Sequence, residues 1–329
     1  MRILMWHVHG SWTTAFVQGR HDVVIPVDAA RGPDGRGRAR TWVWPDRVHE
    51  VPVQELDGAD FDCVILQRPH EQELCRRWTG RVPGKDVRAV YLEHNTPVCG
   101  AATTRHPMAE QHAIPVVHVT HFNRLMWDCG RAPTTVIEHG VIDPGYRYTG
   151  EEPGLASVVN EPVRRGRVVG ADILLELAGR QATDGRSLDV YGMGMRDLAV
   201  VATDAGLPGW TARLHDDLPQ DALLDRLPRH RAYLHVCRWT SLGLSLIEAM
   251  LLGMPVLAVD TTEACAAVPA DGGLVSSDLD ALLRRADDWI ADPDSARRAG
   301  RAARVHALEK YGLPRFLDDW DRLLEGATS

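Results

Sequence analysis

A short run of β-branched or aliphatic residues, a turn, then an amphipathic stretch: this unit repeats along almost the whole chain. Alternation of this kind predicts parallel sheets covered by helices on both faces. In the first half, strands are expected near residues 1–5, 22–27, 62–66, 87–92, 116–120 and 134–137, with a mobile loop dense in Gly and Arg over 30–40. A segment rich in turn formers, 144–153, reads as a linker. A second series follows, with strands at 156–159, 187–191, 212–214, 232–236, 255–259 and 273–276. Helices are expected between them at 168–178, 196–205, 221–227 and 244–252, and three more (278–291, 294–311 and 314–326) close the chain. A length of 329 residues suits two such domains better than one core. The expected fold is α/β, two doubly wound Rossmann-like domains facing a cleft. The divisions are 1–147, 148–312 and a C-terminal helix, 313–329.

Charge and cysteine usage narrow the partners. The net charge is −8, so a nucleic-acid backbone has no general electrostatic footprint to meet. Lys85 and Lys310 are the two lysines, so an anion in a site must be met by arginine, histidine or backbone amides. Six scattered cysteines without a C-x-x-C pair fit buried thiols in a reducing cytoplasm. The most apolar stretch, 244–259, is interrupted by Glu248 and Pro255, and no membrane insertion is expected. The close histidine pairs, His7 with His9 and His118 with His121, lack a zinc-site context, so no metal is expected.

The most informative segment runs from Arg238 to Val256. It follows a strand, turns at Gly243, and opens a helix whose free amides and positive dipole end suit a diphosphate. Glu248 is placed to accept hydrogen bonds from two adjacent ribose hydroxyls. This segment resembles the donor-site signature of retaining, family-4-like GT-B glycosyltransferases, E-G-x-G-x-x-x-x-E-A-x-x-x-G-x-P-V. Gly243, Glu248, Ala249, Gly253, Pro255 and Val256 match at the family's spacing. It departs where Thr240 replaces the first glutamate, which in the family contacts donor-sugar hydroxyls, and where Ser241 replaces a glycine.

The resemblance implies further roles. Thr240, Ser241, Leu242, Gly243, Leu244, Ser245 and Glu248 would bind the donor, with Gly192 in a G-x-G turn (Gly192-Met193-Gly194) beneath the base. Gly10 and Ser11, after the first strand, would let amides approach the donor phosphate. Arg164 or Arg165 falls where the family grips the diphosphate, and which of the two faces it stays open. His94, at a strand end, resembles a histidine lining the reaction centre, and with Arg164 and Arg165 completes the expected catalytic set. The implied activity is a hexosyltransferase-type transfer, with retained configuration, from a nucleoside-diphosphate sugar to an acceptor hydroxyl. The sugar nucleotide is a co-substrate, no other cofactor is expected, and the acceptor is a small molecule or saccharide. Because Thr240 replaces a carboxylate, a sugar-nucleotide-binding protein impaired in catalysis is the alternative, with a GT-B-like epimerase or phosphorylase behind it.

Overall fold

The computed structural model describes residues 1–40, 42–184 and 186–326. The chain forms two compact units, one of Met1–Ile142 with Leu313–Ser329 and one of Asp143–Gly312. Each is built on its own parallel sheet.

The first unit carries seven strands: β1 (Arg2–Met5), β2 (Asp22–Val27), β3 (Val48–Pro52), β4 (Cys63–Leu66), β5 (Arg88–Glu93), β6 (Val116–His118) and β7 (Thr134–Val136). They lie in the order β3-β2-β1-β4-β5-β6-β7, with every pairing parallel. β4 is buried throughout, and β1 along all but its first residue, which is why they read as near-continuous apolar runs. Alternate residues feed opposite faces: Ile3 and Met5 join Trp12, Phe16, Phe316 and Trp320 on one side, while Leu4 joins Val64, Leu66 and Tyr91 on the other. The C-terminal helix Leu313–Gly326 packs on this unit through Phe316 and Trp320, whose rings meet Trp12 edge-on. Gly140 is required there, since a Cβ would sit 2.3 Å from the Phe316 side chain.

The second unit holds β8 (Glu152–Val158), β9 (Ser187–Gly192), β10 (Leu214–Asp216), β11 (His230–His235), β12 (Val256–Val259) and β13 (Gly273–Ser276). Their order is β10-β9-β8-β11-β12-β13, again all parallel. In both sheets the strand order reverses beside the first strand of the unit, between β1 and β4 and between β8 and β11. An open α/β sheet leaves a crevice for ligands at the carboxyl ends of the strands that flank such a reversal.

Several expected elements are corrected. β3 lies where no strand was expected; its polar His49 and Glu50 and its edge position hide the alternation. The loop expected to be mobile over 30–40 instead folds back on the β2 end, through Asp28 N–H to Gly35 O (2.9 Å) and Gly37 N–H to Pro26 O (3.1 Å). The helix expected from 168 begins at Ala171, after a short turn of helix Pro162–Arg165, because Gly166 (φ 52°) and Gly170 (φ 78°) break the run. β10 starts at Leu214, since Pro208–Arg213 winds as a 3₁₀ turn. The segment read as a linker is strapped to the second unit: the amides of Arg147 and Tyr148 meet Leu252 O, and those of Thr149 and Gly150 meet Pro228 O. No helix is long and apolar enough to cross a membrane, and no cluster of three or more ligating side chains could hold a metal, among the described residues.

Candidate active site

In the second unit the reversal point is flanked by two connections, 159–165 after β8 and 236–243 after β11. The latter runs into the helix Leu244–Leu252. Gly243 is the N-cap in extended conformation, and a Cβ there would meet the His235 ring at 2.5 Å. This close approach is why only glycine fits, and burial keeps that imidazole neutral by lowering its pKa to about 4. The helix has no side-chain cap and no acidic residue in its first turn. Its positive end is therefore left for an outside anion, worth about 0.3–1 kcal/mol and up to ~2 kcal/mol where partly buried.

The helix Met195–Asp204 of the same unit behaves differently. The Asp216 carboxylate already sits at its start, accepting the amides of Gly194 and Met195 at 3.0 Å each. Gly192 closes that turn with φ 135°, where a Cβ would press to 2.0 Å from Val159 O. Among Gly192, Met193 and Gly194, the demand for glycine is thus met by the protein's own backbone.

The rest of the 236–243 connection is arranged around one buried thiol. Arg238 is spent on structure, gripping Asp172 with two bonds of 2.5 and 3.0 Å, while the Arg238 and Trp239 amides meet Val168 O. Cys237 is pushed up to about 11 by burial, opposed by the charge of Arg165 and by the Thr240 hydroxyl. Arg165 is half-buried and its charge reaches this connection, whereas Arg164 is exposed and turned onto Glu161. The Thr240 hydroxyl is buried with no oxygen or nitrogen partner among the described residues, its one polar neighbour being that thiol. Ser241 and Leu242 are buried; Ser245 Oγ accepts the Tyr233 hydroxyl at 2.8 Å.

Glu248 lies one turn into the helix Leu244–Leu252, half-buried, and accepts a single bond of 3.3 Å from Gln220 Nε2. Desolvation raises it to about 7 against that one stabilising contact. A carboxylate so poorly served has lone pairs to spare for hydroxyl donors.

In the first unit, the segments after β1, β5 and β7 bring together a group of neutral rings. His94 is buried, with its ring centroid 3.8 Å from that of His9 and 6.3 Å from that of His139. Burial, then the neighbouring imidazoles, hold His94 well below its usual range. Burial, with Arg68, puts His9 at about 4, and burial, with His9 and Arg315, puts His139 at about 3. Gln67, just past β4, sets the tautomer. Its Nε2 donates to Trp6 O at 2.8 Å, so its Oε1 must accept from His94 Nε2 at 3.2 Å. His94 Nδ1 is then the unprotonated nitrogen, able to accept a hydrogen bond. Gly10 and Ser11 open the helix Gly10–Phe16 nearby in sequence. A Cβ on Gly10 would meet His7 Nε2 at 3.9 Å and nothing nearer, so the protein itself does not demand glycine there.

The residues singled out in the sequence thus fall into two groups. Arg165, Thr240, Ser241, Leu242, Gly243, Leu244, Ser245 and Glu248 gather in the second unit around the helix Leu244–Leu252, and His94, Gly10 and Ser11 lie at strand ends of the first. Gly192 sits at the end of β9 and Arg164 points away. Sequence reasoning missed Gln67, His9 and His139. Position directly after β4 or β1 was the available signal for the first two.

Residues 165–320 match the family model described as "Glycosyl transferase-like". No curated protein sequence matches the chain. Solved structures do. Sucrose-phosphate synthase from Thermosynechococcus elongatus aligns with a TM-score of 0.70, covering 100% of both chains at 14% identity. Anabaena HepE, solved in complex with UDP and glucose, aligns at 0.68 over 99% of this chain and 100% of that one, at 14% identity. A mutant of S. aureus TarM, in complex with Fondaparinux, alpha-GlcNAc-glycerol and UDP, aligns at 0.65 over 82% of this chain and 57% of that one, at 16% identity. The two parallel-sheet units have the architecture of these proteins, the GT-B fold, and the family match begins in the second unit and runs into the C-terminal helix.

Proposed function

We infer that this chain, a glycosyltransferase of the GT-B fold, moves a sugar from a nucleoside-diphosphate donor to an acceptor hydroxyl with retention of configuration. The observation that carries the reading is the uncapped start of the helix Leu244–Leu252 at the strand-order reversal of the second unit, with Arg165 and the buried Thr240 hydroxyl on the two connections that flank the reversal. The helix start and Arg165 would hold the diphosphate, Glu248 the ribose diol, and Thr240 one hydroxyl of the donor sugar. HepE, solved with UDP and glucose, and TarM, solved with UDP, favour a uridine nucleotide.

In the reaction, the bond between the anomeric carbon and the leaving phosphate oxygen breaks as the acceptor oxygen bonds to the same face of that carbon. The acceptor proton passes to the departing diphosphate. Charge builds on the leaving group, and Arg165 with the helix amides supplies the fixed positive field that stabilises it. We read the transfer as metal-independent because a guanidinium and a helix end already oppose that charge. Neutral His94, with Nδ1 unprotonated, offers an acceptor to a sugar hydroxyl rather than a charge. Six free cysteines, four of them buried, fit work in a reducing compartment such as the cytoplasm.

A binder without catalysis is the second reading, motivated by Thr240 where a carboxylate would give two acceptor oxygens. Nucleotide released from UDP-sugars, measured with and without saccharide acceptors, separates the two. Acceptor-dependent UDP release is expected, and tight UDP binding without release would favour the binder.

A further inference from the structure

The carboxyl edge of the first unit's sheet holds a feature that donor chemistry leaves unused. A cavity of about 520 Å³ opens beyond the ends of β1 and β2, lined by His7, Arg31, Arg36, Arg38, Arg40 and Trp42 among others. That volume suits a ligand of monosaccharide to disaccharide size.

Four arginines line the cavity, and the guanidinium of one of them is paired with a carboxylate. Arg31 is neutralised by Glu50 through paired bonds of 2.8 and 3.0 Å. Arg38 is fixed by main-chain carbonyls, Val48 O at 2.6 Å and Trp44 O at 2.7 Å, which orient its charge without cancelling it. Arg36 and Arg40 are exposed, and their guanidinium groups have no protein partner among the described residues. Of the nearby acids, Asp34 pairs with Arg68 and His70, and Asp28 accepts the Gly32 amide while keeping its charge, so the arginines outnumber the carboxylates left to them. Like charges gathered around a hollow repel one another, and an anion of matching geometry relieves that cost.

The lining also includes an aromatic ring. Trp42 is half-buried, seated on the core cluster of this unit, and its indole offers a face for a sugar ring. His7 Nδ1 donates to Gly37 O at 3.0 Å and its ring meets Trp44 edge-on, so the loop that carries the arginines is anchored to the end of β1. The unprotonated Nε2 of His7 looks toward Gly10, tying the cavity to the connection that follows β1.

We propose that this cavity binds an oxyanion-bearing saccharide, with Arg36, Arg38 and Arg40 holding a phosphate, sulfate or carboxylate group and Trp42 stacking on the sugar. Calling that ligand the acceptor rests on the glycosyltransferase reading; the anion site itself does not.

The test is calorimetric titration of the full chain, held at saturating UDP, with glucose 6-phosphate, glucuronate and glucose. At least one anionic sugar is expected to bind tenfold or more tightly than glucose, and which one does so identifies the anion. The Arg36→Ala/Arg40→Ala double variant removes two exposed side chains that support nothing, and should weaken that binding tenfold or more. Its UDP affinity should be unchanged, and Arg36→Lys/Arg40→Lys should recover part of the loss. Equal binding of charged and neutral sugars, no binding of any, or full affinity in the alanine variant would overturn the proposal. UDP titrated alone reports separately on the donor site: failure there sinks the donor reading and leaves the anion result to stand or fall by itself.

Discussion

Replacing Glu248 by glutamine should make the protein more stable at alkaline pH and worse at holding nucleotide. The carboxyl group titrates near 7 in the fold against 4.5 for a free glutamate, because burial disfavours its charge and Gln220 alone opposes that. At about 1.4 kcal/mol per tenfold change in proton affinity, keeping it ionised costs the fold up to about 3 kcal/mol, less what partial contact with water returns. The folded-state value is raised, so the favourable contribution is complete below the unfolded value and lost as pH climbs through 7. Urea denaturation of Glu248→Gln and the parent should therefore agree closely near pH 4.5 and diverge by pH 8, with the variant ahead. Calorimetry on the same proteins should show UDP affinity falling about 10–100-fold, the loss of one or two charge-assisted bonds of roughly 1.5–3 kcal/mol. The parent's own UDP affinity should rise from pH 6 to 8 as the carboxylate ionises. A stability difference that does not change with pH refutes the desolvation argument. Unchanged UDP affinity refutes the role in nucleotide binding.

Other positions divide fold from function. Gly243→Ala brings a methyl to 2.5 Å from the buried His235 ring, and should cost about 1–3 kcal/mol by urea midpoint; an unaltered midpoint means the turn has room. Thr240→Val removes a buried hydroxyl that no oxygen or nitrogen meets, so stability should hold or rise slightly while affinity for a UDP-sugar drops and that for UDP does not. Equal loss for both ligands would put Thr240 at the nucleotide instead. Gln67→Leu strips the acceptor from His94 Nε2, costing about 1–3 kcal/mol of stability and lowering turnover through a freed imidazole; a variant with parental turnover would show that the tautomer does not matter.

Strand–helix alternation sufficed for two parallel sheets because inner strands such as β1, β4 and β12 are buried and carry apolar runs. The glycine turn at 243 was readable for the same reason: its spacing is local to one strand, one turn and one helix. What escaped reading depends on convergence from afar. Gln67 acts on His94 only because β4 and β5 are neighbours and Trp6 supplies a carbonyl 61 residues earlier. That Arg164 pairs with Glu161, a residue of left-handed φ (52°), is likewise invisible in the spacing of the two arginines. The arginines of the 30–40 loop look like ordinary loop residues until the fold sets them around one cavity.

The most direct test of the central claim is a crystal structure with UDP bound. The account predicts diphosphate oxygens about 3 Å from the first amides of the helix Leu244–Leu252, the Arg165 guanidinium beside them, and both ribose hydroxyls on Glu248. A nucleotide seated at the start of the helix Met195–Asp204, or one leaving Glu248 bonded to Gln220 alone, would contradict it.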